Sequence, residues 1–234
     1  MNTSNNSFNT IQSSLTKSLN VLSLLFCFFL CTGVFAQIIQ IDSIEELQLI
    51  GNDTAYPLNG KYELTQDIDA SDTINWNDGA GFKPIGTYDT QFVGKFNGYG
   101  HKITGLYINR SGENYLGLFG YIGEGAEIKN LGIEDCWIVG EWYVGGLVGA
   151  NEGSITNSYS TGAMSGTYDV GGFVGGNNGS ITSSYSTGAV SGAYDVGGLV
   201  GVNYNIITSS YSTGAVSGNY YLGGLVGVNY DIIT

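Results

Sequence analysis

Four glycine pairs, Gly145-Gly146, Gly171-Gly172, Gly197-Gly198 and Gly223-Gly224, recur at intervals of 26 residues. The text around them nearly copies itself. Residues 144–163 read VGGLVGANEGSITNSYSTGA, 170–189 read VGGFVGGNNGSITSSYSTGA, and 196–215 read VGGLVGVNYNIITSSYSTGA. A fixed period of this length specifies a stack of like units, each supplying one layer, in place of a single globular core.

Within a unit, dense glycine and abundant β-branched residues disfavour helix and favour short strands. The pattern predicts three: GGLVG, then SITNSYS, then GAMSG or GAVSG, with turns at Asn-Gly, Ser-Thr-Gly and Ser-Gly-x-Tyr. Each glycine pair then opens a first strand. Three strands of about five residues with their turns make one coil of an all-β parallel β-solenoid. Successive coils lie about 4.8 Å apart and share backbone hydrogen bonds.

The energetics require stacking. A coil offers about five or six inward apolar side chains, such as Leu147, Ile155, Met164 and Val170. At ~1.5–3 kcal/mol each, their burial gives on the order of 10–15 kcal/mol. Ordering the backbone of the unit costs more, at ~1–2 kcal/mol per residue. An isolated unit therefore does not fold, and neighbouring coils must supply hydrogen bonds and cover.

Four segments precede or compose the array. Residues 1–36 read as an export signal: a leader with Lys17, the apolar run VLSLLFCFFL from Val21 to Leu30, and Val34-Phe35-Ala36 before a cut at Gln37. The run is short for a membrane span. Residues 37–115 read as a cap with the first coils. Ser43 caps a short helix that Gly51 ends, KYEL is a strand, 74–84 is a loop, and Asn97-Gly98 is a turn. Residues 116–143 form a degenerate transitional repeat, with Leu118-Phe119-Gly120 standing for Leu147-Val148-Gly149. Residues 144–234 hold the regular units. The last reads as truncated, because Thr234 aligns with Thr208 in mid-unit.

Charge and cysteine content narrow the chemistry. The formal charge is −13, and no Lys or Arg follows Lys129. Nucleic-acid binding and docking on anionic lipid both need a basic footprint, so neither is expected. Cys27 and Cys31 leave with the signal, and Cys136 remains as a lone, buried apolar thiol with no disulfide partner. The single histidine, His101, sits in a turn and cannot form a His-Glu-x-x-His zinc site. Asp67 and Asp69, two apart on one strand face, are the carboxylate pair a glycosidase would need. The alternative is that they solvate the cap. No cofactor and no metal are expected.

The units VGGLVGxNxGSITxSYSTGAVSG resemble GLUG-motif repeats, and LTQDIDAS, FVGKFNGYGHKITGLYIN, LGLFG and IKNLGIED in the lead-in resemble the same context. Such repeats occur in large secreted or surface proteins of bacteria, adhesin-like proteins among them. They also occur in the non-catalytic N-terminal part of immunoglobulin A-cleaving metallopeptidases. The resemblance implies a right-handed parallel β-helix and a surface location, and is weak for activity. It departs at Ser158, Ser184 and Ser210, where family units often carry Cys.

Two sets of tyrosines align at the repeat interval: Tyr159, Tyr185 and Tyr211, and Tyr168, Tyr194 and Tyr220. Each set predicts a column of rings. The columns either rigidify the rod by stacking or form a flat aromatic strip for a glycan or an extracellular protein. Asp169 and Asp195 form a partial column that Tyr221 interrupts. The expected function is an exported, adhesin-like binding surface or rigid spacer. The alternative is the non-catalytic accessory region of a larger surface hydrolase, peptidase or carbohydrate-active.

Overall fold

The computed structural model describes residues 37–234, so the expected export signal, residues 1–36, lies outside the described residues. Ile38–Thr234 forms one unit, a parallel β-solenoid of four stacked sheets. One regular coil runs through strands Val148–Asn151, Ser154–Thr156, Tyr159–Ser165 and Tyr168–Gly171. The next begins with Val174–Asn177. Every strand of the array pairs in parallel with its counterpart one coil away, in 26-residue register: Val148 with Val174, Ile155 with Ile181, Tyr159 with Tyr185, Tyr168 with Tyr194.

The coil has four sides, which corrects the expectation of three strands. The segment SITNSYS is not one strand, because Asn157 turns the chain with φ of 50°. Ser183 and Ser209 do the same one and two coils on. The supposed Ser-Gly-x-Tyr turn leads into a fourth strand, Tyr168–Gly171, with Asp169 at φ 53° inside it. The glycine pairs are corrected too. Gly171 closes the fourth strand and Gly172 bends the chain into the next, so each pair ends one coil side and does not open a strand.

Glycine is needed where sheets meet. A Cβ on Gly175 would stand 2.5 Å from the carbonyl carbon of Tyr143. One on Gly201 would stand 2.5 Å from that of Asp169. The Val174–Asn177 strand and the Trp142–Val144 strand thus press backbone to backbone, and no larger residue fits between them.

The predicted inward residues are buried: Leu147, Ile155 and Val170 at 0% exposure and Met164 at 1%. Cys136 is buried as expected, and its thiol donates to the Thr161 carbonyl. Burial pushes that thiol up to about 12, so it stays neutral and unreactive. At the N-terminal end the helix Ile44–Leu49 lays Ile44 and Leu47 on the core, and Ser43 accepts a hydrogen bond from the Glu46 N–H as its cap.

Polar ladders fix the corners. Asn151 donates to Asn177 at 2.6 Å, Asn177 to Asn203 at 2.7 Å, and Asn203 to Asn229 at 2.7 Å. Asn151, Asn177 and Asn203 are buried. At the next corner the Ser184 hydroxyl accepts from the Ser158 N–H and donates to the Thr182 carbonyl. Ser210 repeats this for the Ser184 N–H. Ser184 and Ser210 therefore satisfy backbone donors that a turn leaves unpaired.

Candidate functional site

The six column tyrosines stand where the register places them. Tyr159 and Tyr185 stack with centroids 4.9 Å apart and planes 2° from parallel, and Tyr185 and Tyr211 stack at 5.0 Å and 5°. Tyr168 and Tyr194 stack at 5.0 Å, and Tyr194 and Tyr220 at 4.9 Å. The ring planes therefore lie across the solenoid axis, and each inner ring gives both faces to its neighbours. What the columns offer outside is ring edges and hydroxyls. A sugar ring stacks on an aromatic face, so the interior of a column presents little of what a glycan strip requires.

The first column is anchored at one end. The Tyr159 hydroxyl donates to Glu134 at 2.7 Å, and Lys102 pairs with the other Glu134 oxygen at 2.7 Å. Both partners hold the Glu134 carboxyl below its usual range, Lys102 more strongly than Tyr159. The ring of Tyr159 lies over Gly132, where a Cβ would meet it at 2.5 Å. Tyr211 and Tyr220, at the far ends, are 51% and 56% exposed.

Three aromatic features escaped the sequence reading. Trp142 extends the second column, stacking on Tyr168 at 4.0 Å, and its signal was simply its place 26 residues before Tyr168. Tyr204 and Tyr230 form a further stack at 5.0 Å. Trp137, 52% exposed, stands in register with Ala163, which pairs in turn with Ala189. These residues line a groove of about 270 Å³ together with Ser165, Ser191 and Ser217, which lie on the same sheet face. Trp137 thus keeps a ring that the alanines beside it leave uncovered.

One corner carries acid. Tyr115 and Tyr143 stack at 5.1 Å with planes 2° apart. The same left-handed backbone position is then taken by Asp169, Asp195 and Tyr221, with φ of 53°, 55° and 55°. Asp169 is 6% exposed. Burial first, and the Asp195 charge second, push its carboxyl up to about 7. Burial also raises Asp195.

The lead-in acids are arranged differently. Asp67 accepts from His101 Nδ1 at 3.0 Å and from the Lys102 N–H, and Asp69 accepts from the Ser71 N–H. These hydrogen bonds hold both carboxyls below the usual range. A glycosidase acid needs its carboxyl raised, so neither is poised for that role. His101 lies in the Gly98–His101 turn, as its sequence setting predicts. Among the described residues no group of three or more His, Cys, Asp or Glu is placed to hold a metal ion. No described helix is long and apolar enough to cross a membrane.

With this geometry in hand, comparison with known proteins decides the nature of the repeats. The GLUG motif matches residues 140–164, 166–191 and 192–217. The chain carries GLUG repeats. Halomucin of Haloquadratum walsbyi is 41% identical over 132 residues, 54% of this chain and 1% of halomucin. A protein of Evansella cellulosilytica, provisionally named a Gly-rich membrane protein, is 42% identical over 99 residues, 41% of this chain and 11% of its own length. The GLUG chain thus spans a small fraction of both relatives. A crystal structure of a Bacteroides ovatus protein, provisionally named an immunoglobulin A1 protease, superposes with a TM-score of 0.67. The match covers 86% of this chain and 64% of that one at 19% identity, which shows a shared fold.

Proposed function

We propose that the GLUG array is a stalk: a rigid spacer in a surface protein, whose length is set by its number of coils. The observation that carries this reading is the unbroken register of like residues along the axis. Asparagine and serine ladders, tyrosine columns and four parallel sheets all bind each coil to the next and none closes back on itself. A stack of this kind resists bending because every side of the coil is tied. A surface location is supported by the names of the two relatives, a halomucin and a membrane protein, and by the acidic, lysine-free array.

The test is metrical. Inserting four copies of residues 170–195 should lengthen the particle by about 19 Å at 4.8 Å per coil, measured by small-angle X-ray scattering. An unchanged maximum dimension, or a compact particle, would overturn the stalk reading.

A second reading, an adhesin-like surface for a glycan or an extracellular protein, is favoured by Trp137. Its ring has free area, the alanine ladder beside it leaves room for a ligand, and a serine ladder supplies hydroxyls. Replacing Trp137 by Ala should abolish glycan-array binding. Replacing Tyr159, Tyr185, Tyr211, Tyr168, Tyr194 and Tyr220 by Ser should affect it less. The reverse ranking would return the role to the columns. The reading as an accessory region of a surface hydrolase rests on a shared fold at 19% identity. A His-Glu-x-x-His domain in the same open reading frame would favour it.

A further inference from the structure

Stacked tyrosines withhold their faces but present ring edges and hydroxyls along the outside of the rod. Edges and hydroxyls are where a phenol is oxidised. Loss of the O–H hydrogen leaves an unpaired electron shared between the oxygen and the two ring carbons beside the hydroxyl-bearing carbon. Two such rings held together join through those carbons. Parallel rings in register bring each of these carbons near its counterpart one coil away.

One stack is placed better than the rest. Tyr204 and Tyr230 lie 5.0 Å apart with planes 5° from parallel. They are 51% and 68% exposed, and in no other stacked tyrosine pair among the described residues are both rings more than half exposed. Their backbone is tied coil to coil. Each directly follows a ladder asparagine, and Asn203 donates to Asn229 at 2.7 Å. The Tyr204 N–H donates to the Asn177 carbonyl and the Tyr230 N–H to the Asn203 carbonyl, both at 2.8 Å. The two rings therefore meet without a search, which favours their coupling over that of rings on separate chains.

We propose that Tyr204 and Tyr230 form an oxidative cross-linking site, joined as dityrosine by hydrogen peroxide acting through a haem peroxidase. Each phenol gives up one electron and one proton. The two radicals form a bond between Cε atoms, the rings tilting edge to edge on their open outer sides. Each joined carbon then loses its proton and each oxygen regains one, which restores both aromatic phenols. One hydrogen peroxide takes up the two electrons and two protons and becomes two water molecules. The product is a covalent tie between successive coils, outside the hydrogen-bonded ladders. The site is separate from the Trp137 groove and does not depend on the stalk reading.

The test oxidises the full chain at low micromolar concentration with a haem peroxidase and hydrogen peroxide. Dityrosine fluorescence, gel mobility and mass-spectrometric mapping of the linked peptides are read. The Tyr204–Tyr230 link should be the most abundant product and should lie within single chains. Tyr204→Phe, which keeps the stacked ring and removes the phenol, should cut the fluorescence by more than half. Tyr99→Phe/Tyr221→Phe removes two exposed tyrosines that stack on no described ring, and should leave most of it. Equal loss in the two variants reduces coupling to exposure and overturns the proposal. So do links chiefly between chains, or a folded chain that yields no dityrosine. Mapping on the unmodified chain needs no variant, and products led by Tyr99 or Tyr221 overturn the proposal.

Discussion

The ring of Tyr143 lies over Gly176, where an added Cβ would stand 2.8 Å from the ring. One coil on, the pair at the matching positions is Asp169 with Val202, and the next is Asp195 with a valine, Val228. Large ring over no side chain, or short acid over valine: the corner keeps its volume constant by trading one against the other.

This trade predicts a coupled pair. Gly176→Val should overpack the corner, tilt Tyr143 off Tyr115 and cost about 1–3 kcal/mol in urea melts. Adding Tyr143→Asp should restore most of that loss, because it recreates the arrangement of the next coil. The double-mutant cycle reads the coupling directly. Additive costs for the two substitutions would mean that the volumes are not linked.

The asparagine ladder predicts a position effect. Asn177 both accepts from Asn151 and donates to Asn203, and all three are buried. Asn177→Ala strands a donor on one side and an acceptor on the other, at about 1–3 kcal/mol for each. Asn229 accepts from Asn203 but is itself exposed, so Asn229→Ala should cost less than half as much. Thermal melts of the two variants rank them, and equal losses would remove the ladder from the account of stability.

How far these features could be read beforehand depended on backbone more than on side-chain chemistry. The repeat interval identified the solenoid and the inward set Leu147, Ile155, Met164 and Val170, because periodicity records which residues share a layer. It could not count the sides of the coil. Asn157 and Asp169 adopt left-handed conformations, yet Asn157 reads as strand interior and Asp169 only as the residue after a Ser-Gly-x-Tyr turn. A short segment with such a residue inside it has no alternation to reveal its strand. The tyrosine columns were visible as spacing, but not the orientation of their rings, and orientation decides whether a face is free. Trp137 and Trp142 keep the 26-residue count to Ala163 and Tyr168, but a tryptophan aligned with alanine or tyrosine does not show as a repeated residue.

Stacking predicts unequal roles within one column. Tyr185 has a ring on each side at 4.9 and 5.0 Å, whereas Tyr211 has Tyr185 alone among the described rings. At about 0.5–1.5 kcal/mol for an aromatic pair, Tyr185→Ala should cost roughly twice what Tyr211→Ala costs. Their free energies of unfolding in urea would show it. A larger effect from Tyr211 would point to a role other than stiffening.

The acid corner predicts an unusual stability profile for an acidic protein. The folded Asp169 carboxyl titrates at about 7, against an ordinary value of 3.8. Below about pH 4 both folded and unfolded chains hold this proton, and its contribution is fully present. As pH rises further the unfolded chain releases the proton while the folded chain keeps it, so stability falls until about pH 7. Asp195, also raised by burial, adds with the same sign. The facing Tyr115, Tyr143 and Tyr204 are all raised and stay neutral across this range. Asp67, Asp69, Glu127 and Glu134 are lowered by their hydrogen bonds, so their stabilisation is lost only as pH falls below the ordinary carboxylate range. The two sets oppose each other in separate windows. The melting temperature should peak near about pH 4–5 and decline toward pH 8. Asp169→Asn should remove most of the decline and leave the acid limb unchanged. Scanning calorimetry at stepped pH measures both limbs, and an equal decline in the Asn variant would show that some other group carries it.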